Sequence, residues 1–432
     1  MPTVLAHLVG VNGLPLPRWL LAYLIGLLAL LVVVLLRASA PHRRWPELEP
    51  VDDAAARRMT SSTARIITRI LGLTAFIATI AIGAATSSDE GLFVAVVVTS
   101  MFWIGGLFLA PIIGDWFEPF DPFPTLALLV PNRDDEVDAE TIPAWTAAVM
   151  VWSFLWFWFV YEERFPSDHE LAAYLAVYSL VVIAGAWRWG LTWARNGEGF
   201  GATFALVGSI APVGRDRETG RLRLRSPLRG TAERGPIAGT AALAAVLLGG
   251  VAYDGLSQTS WWTDDVVNGR TGLELQVVGT IGLLWTTIIV LVATMAACRL
   301  AERITDREAP ALVELMGGAI AVLAAGGWFA HEISQLLLDG QTLVALSSDP
   351  LARGNDLFGT INDLPNARLL SVGTQAWLSM IAMGLAAIGA GVLTVEAAFT
   401  AFAPKRAARG VWPLAIAVTV LAAACSMLLV GT

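Results

Sequence analysis

Ten stretches of the chain are apolar over roughly the length a helix needs to cross hydrocarbon: 19–36, 66–85, 92–113, 144–160, 171–186, 237–253, 275–297, 312–338, 369–398 and 411–429. A bilayer core about 30 Å thick takes about 20 such residues per helix. A spanning segment must satisfy its own backbone groups, and only helices and closed barrels do so. Barrel strands would alternate over about ten residues, and no such alternation runs through this sequence. The reading is an all-α polytopic membrane helix bundle of about ten transmembrane helices. Composition agrees: 56% of residues are hydrophobic and 15% charged, against about 25% charged in soluble domains.

The basic residues set an orientation. Of the 28 Lys and Arg, all but Arg18, Arg164, Arg270, Arg353 and Arg368 fall in alternate connections or their flanks, in clusters such as Arg37 to Arg58, Arg215 to Arg234 and Lys405 to Arg409. The positive-inside rule places those connections in the cytosol and both termini outside. The expected location is a bacterial plasma (inner) membrane, with the bilayer as first partner. Ala38-Ser39-Ala40 resembles a signal-cleavage box, but no basic n-region precedes the first span and its apolar core is too long. A retained anchor is expected. The two cysteines, Cys298 and Cys425, lie in or beside apolar segments and read as packing residues.

Four connections carry information. Residues 114–127, Gly-Asp-Trp-Phe-Glu-Pro-Phe-Asp-Pro-Phe-Pro-Thr-Leu-Ala, read as an interfacial turn, because the prolines forbid a continuous helix. Within 187–236, Phe200, Phe204, Val207 and Ile210 recur at helical spacing, which predicts a short cytosolic helix lying in the interface. The period-two arginines that follow predict a basic ribbon able to touch anionic lipid. No aromatics interleave with them, so nucleic acid is not expected as a partner. Outside, residues 253–265 and a long ordered loop over 339–368 stand apart.

The eighth span has an unusual face. At 100° per residue, Glu314, Ala321, Ala324, Trp328, His331 and Gln335 share one stripe with Gly317. Small residues there admit a close neighbour, and an ionisable group buried in the membrane marks a functional site by default. With Asp339 taken as the end of the span, His331 lies about 12 Å below it. Hydrogen-bonded packing is the competing role for this histidine. His42 and His169 read as surface residues, whereas His7, in the outer N-terminal segment, could fold toward the same mouth. A phosphate loop, His-Glu-x-x-His, Cys-x-x-Cys and Gly-x-Ser-x-Gly are all absent from the sequence, which argues against ATP-driven pumps, zincins, c-type haem proteins and α/β-hydrolases.

Several short motifs occur in a characteristic order. They are Ala6-His7-Leu-Val-Gly with Leu14-Pro-Leu-Pro-Arg-Trp-Leu, Gly197-Glu-Gly-Phe-Gly with Ile210-Ala-Pro, Asp254-Gly-Leu-Ser-Gln-Thr, Phe329-Ala-His-Glu, and Ser348-Asp-Pro-Leu-Ala-Arg-Gly-Asn-Asp-Leu-Phe-Gly-Thr. In these the chain resembles the fenitrothion hydrolase family of bacterial integral membrane proteins. The resemblance implies hydrolysis of organophosphotriesters in the membrane.

On this reading a divalent metal, zinc or manganese, activates water at an outward-facing polar site. Its ligands come from His7, His331, Asp254, Asp349 and Asp356, with Glu332 and Arg353 as catalytic residues, the latter steadying a phosphoryl oxygen. Two alternatives belong to other classes. One is a transporter or channel for a small solute, built from two inverted five-helix repeats in which the third and eighth spans each precede an Asp-Pro, at Asp121 and Asp349. The other is an accessory subunit whose tryptophan-rich faces meet homo-oligomeric or partner helices.

Overall fold

The computed structural model describes residues 17–37, 61–87, 91–131, 145–161, 166–215 and 222–429. Its apolar helices are α1 Arg18–Leu36, α2 Ser62–Ala85, α3 Phe93–Ile113, α4 Thr146–Phe159, α5 Asp168–Asn196, α6 Gly199–Gly208, α7 Thr240–Ser257, α8 Gly272–Thr305, α9 Leu312–Leu346, α10 Val372–Ala401 and α11 Pro404–Leu429. Nine helices among the described residues are long and apolar enough to cross a membrane. The tenth expected span, α4, is an apolar helix of 14 residues. At 1.5 Å per residue it covers about 21 Å, less than the hydrocarbon thickness. The all-α reading holds for the described residues, whose only strands form one ribbon, β1 Val213–Arg215 antiparallel to β2 Leu222–Leu224.

Local chemistry explains the helix ends. Ser61 caps α2 by accepting from the Ala64 N–H, and Ser167 and Glu170 form a reciprocal capping box at α5. α5 breaks at Gly190, whose φ of +80° suits glycine. The chain then turns back through Gly197, and Glu198 caps α6 by accepting from the Phe200 and Gly201 N–H groups. Eight of the ten α6 residues are buried. The helix expected in the interface therefore lies inside the protein, where Phe200 and Phe204 join Phe102, Trp103, Trp116 and Phe154 in an aromatic core.

Small residues let the long helices touch backbone to backbone, as expected where lipid offers no hydrophobic drive for association. A Cβ at Gly317 of α9 would lie 2.8 Å from the Ala241 nitrogen of α7. One at Gly326 would lie 2.4 Å from the Ala386 Cβ of α10, and one at Gly249 of α7 2.5 Å from the Thr287 Cα of α8. α9 is thus clamped between α7 and α10. It runs 35 residues to Leu346, so Asp339 is a buried position inside the helix rather than the end of the span. The first part of the expected 339–368 loop is helix. Its remainder is a turn-rich segment tied to the end of α2, where Ser87 Oγ donates to the carbonyls of Leu351 and Ala352.

Candidate functional site: a buried carboxylate and histidine cluster

Near the end of the bundle away from the arginine ribbon, α7 and α9 bring three of the sequence-selected residues together. Asp254 sits one turn from the end of α7, and His331 and Glu332 lie on α9. The approach depends on Gly327, one turn before His331, where a Cβ would stand 3.2 Å from Val251 Cγ1 of α7. One ligand atom from each of Asp254, His331 and Glu332 lies within 4.8 Å of the other two. Consecutive helical residues diverge by about 100°, so His331 faces α7 directly and the longer Glu332 side chain reaches round to the same point.

His331 Nε2 lies 3.2 Å from Asp254 Oδ2, with 1% of the histidine side chain exposed and 13% of the aspartate. Gln258, one turn beyond Asp254, donates from Nε2 to Asp254 Oδ1 at 3.2 Å and lies 3.1 Å from His331 Nε2. Glu332 is buried and faces the charges of both Asp254 and Asp339. Further along the same α9 stripe, Gln335 donates to Asp339 Oδ2 at 2.7 Å, and Ser100 of α3 donates to the same oxygen. Ser100 sits in the π-helical stretch Val96–Ile104, a widening of the helix often found at functional sites.

This set suits a cation. Two carboxylates about 4 Å apart repel by about 4 kcal/mol at an effective dielectric of 20, so a proton or metal held between them stabilises the group. One imidazole and two carboxylates match the donors of zinc or manganese. Two ligands about 2.0–2.1 Å from a tetrahedral zinc are about 3.3 Å apart, close to the His331–Asp254 separation of 3.2 Å.

The other sequence candidates fall elsewhere. His7 and His42 lie outside the described residues. Asp349 and Asp356 are not in the cluster and instead hold the loop after α9. The Arg353 and Gly354 N–H groups donate to Asp349, and the former lowers its pKa most; Ser348 Oγ donates to Asp356 and lowers that pKa. Arg353 reaches the Ala85 carbonyl at 3.4 Å, which makes it a loop tie. Glu314 caps α7, accepting from the Gly239 and Ala241 N–H groups.

Sequence reasoning missed Gln258, Asp339 and Ser100 as site members. Four-residue spacing from Asp254 to Gln258, and from Gln335 to Asp339, was a usable signal for the first two. Nothing local marks Ser100.

A second buried acidic pair lies at the basic end. Tyr178 donates to Glu198 Oε1, and Asp121 accepts from the Phe123 N–H. A Cβ at Gly201 would lie 3.0 Å from Glu198 Oε2 and 3.1 Å from Asp121 Oδ2. Burial, with the Glu198 charge beside it, raises the Asp121 carboxyl well above its ordinary range. The stretch expected as an interfacial turn is thus partly built into the core, with Phe117, Asp121 and Phe123 buried.

Comparison with protein-family models, curated proteins and solved structures returns no match. What the fold defines is a helical, multi-pass membrane protein.

Proposed function

We propose that the chain is a metal-dependent hydrolase of the membrane, acting on apolar phosphotriester-like substrates at an outward-facing site formed by Asp254, His331 and Glu332. The observation that carries it is the convergence of these three ligand atoms within 4.8 Å, from two helices, in a buried setting. A divalent cation there supplies a water ionised near neutral pH and a Lewis acid for a phosphoryl oxygen. The chain contributes position: Gln258 steadies Asp254, and the Gly327 contact with Val251 sets the helix spacing. The substrate class rests on the resemblance of the ordered motifs to those of fenitrothion hydrolases, and the outward placement on the positive-inside pattern.

Ion movement is the second reading. Glu332, Gln335 and Asp339 continue the cluster along one helix, opposite Ser100 in the π-helical stretch, and intramembrane carboxylates mark ion paths.

The test is elemental mass spectrometry on purified wild type, His331→Ala and Glu332→Gln, beside hydrolysis of a dialkyl p-nitrophenyl phosphate in proteoliposomes. One equivalent of zinc or manganese, lost in the variants together with chelator-sensitive hydrolysis, is expected. Metal retained in His331→Ala overturns the site. Metal bound with no hydrolysis overturns the reaction and favours ion movement.

A further inference from the structure

The most peripheral helix leaves a cavity at the basic end of the bundle. α2 has a single buried residue, Gly83; its backbone comes closest to the protein at two glycines, with Phe76 set edge-on to Phe123 between them. A Cβ at Gly83 would lie 2.6 Å from the Asp168 carbonyl oxygen, and one at Gly72 would lie 1.7 Å from that of Phe120. Between these contacts α2 stands off from α3, leaving a half-open apolar chamber of 470 Å³ walled by Ala75, Phe76, Val98, Phe102, Phe123 and Leu175. Thr79 is its only side-chain hydroxyl, and that group is turned back onto the Ala75 carbonyl. The volume is that of a small-molecule site, yet the lining offers nothing that would orient a polar solute.

A second chamber, of 650 Å³, adjoins it on the side of the arginine ribbon, with Trp116 and Phe120 lining both. Its wall carries Arg215, Arg225 and Arg234 against Asp115 and Glu118. Glu118 pairs with Arg215 at 3.2 Å, and Arg225 is held by the carbonyls of Gly208, Ser209 and Ala211. Desolvation pushes the Asp115 carboxyl up to about 6, opposed first by the Glu118 N–H that donates to it and then by Arg234 and Arg215, while the Glu118 charge adds to the rise. The charge facing this chamber is therefore cationic on balance. Arg69 of α2 also bears on the region, acting on Asp121 beside the apolar wall.

We propose that the two chambers together bind one anionic phospholipid, with its phosphate among Arg215, Arg225 and Arg234 and one acyl chain between α2 and α3. An apolar slot along a helix of membrane-spanning length, joined to a cationic chamber, matches an amphiphile with an anionic head. A zwitterionic lipid would bring its own ammonium group beside the arginines. The site is separate from the Asp254–His331–Glu332 cluster and stands or falls independently of it.

Native mass spectrometry of the detergent-purified full chain, titrated with phosphatidylglycerol or phosphatidylcholine, tests this. Wild type is expected to retain one phosphatidylglycerol in preference to phosphatidylcholine. Arg215→Gln and Arg234→Gln should each weaken that preference about fivefold, since a basic residue near an anionic lipid contributes on the order of 1 kcal/mol. Ala75→Trp, on an exposed face of α2, fills the apolar chamber and should abolish retention of either lipid. A wild-type size-exclusion profile and an undiminished melting temperature show that each variant is folded, and a second chamber-filling change, Thr79→Trp, replaces any variant that is not. Equal retention of both lipids overturns the proposal, as does phosphatidylglycerol binding untouched by a folded chamber-filling variant. Displacement by inorganic phosphate alone, as effectively as by phosphatidylglycerol, would show a headgroup-only anion site and overturn the acyl-chain assignment.

Discussion

Replacing Gln258 with Leu leaves all three proposed ligands in place and removes only the amide that orients them. That amide donates to Asp254 Oδ1 at 3.2 Å and lies 3.1 Å from His331 Nε2. His331 Nε2 is also the atom 3.2 Å from Asp254 Oδ2, so it is the nitrogen that would take a metal in the proposed centre. With a metal there its lone pair would be committed and could not accept from Gln258. One hydrogen bond to a charged acceptor then remains to be lost, about 1.5–3 kcal/mol. That corresponds to a 10–100-fold loss of metal affinity, the usual range for an outer partner. Isothermal titration with zinc, or competition against a chelator of known affinity, reads it directly. Asp254→Asn loses an anionic ligand, so it should weaken binding well beyond Gln258→Leu. Zinc binding in Gln258→Leu at wild-type affinity, or a smaller effect for Asp254→Asn than for Gln258→Leu, would refute the argument that these atoms form one centre.

Three further outcomes follow from the geometry. Gly326→Ala puts a methyl where 2.4 Å separates it from the Ala386 Cβ; overpacking of this kind costs about 1–3 kcal/mol and should lower the melting temperature in detergent. Glu314→Ala removes the acceptor for the Gly239 and Ala241 N–H groups and should destabilise by about 1 kcal/mol, with metal content unchanged, because the role is capping. The Asp115 carboxyl is raised from 3.8 to about 6 by desolvation, so its contribution to stability is fully present below about 4 and is lost as pH rises through about 6. Asp115→Asn should flatten the thermal stability profile across that window, and an unaltered profile would show that Asp115 is solvated.

Both the cluster and the helices around it show where local pattern stops being informative. His331 was selected as an ionisable residue within an apolar run, a property of composition and spacing that needs no tertiary information, whereas Asp254 and Glu332 came with the motifs that carry the family resemblance. Asp349 and Asp356 sit in an equally suggestive motif, yet they bind the backbone of their own loop. Residue type alone does not distinguish a carboxylate aimed at a neighbouring helix from one aimed at its own turn. Phe200, Phe204 and Val207 recur on one helical face, but the residues between them are Gly, Ala, Thr and Leu, and the surroundings bury Ala202, Thr203 and Leu206 as well.

The sequence by itself determined that this is a helical membrane protein, because crossing hydrocarbon demands long apolar runs and backbone self-sufficiency, both of which are local properties. It also marked His331 and the stripe of small residues that carries it. Tertiary structure decided that α9 continues past Asp339, that α6 lies inside the bundle, and that Gln258, Asp339 and Ser100 stand beside the cluster. Those outcomes depend on which helices approach one another and at what distance. That distance is set by contacts such as Gly317 against Ala241 and Gly327 against Val251, between residues far apart in the chain, which no periodicity within a single segment encodes.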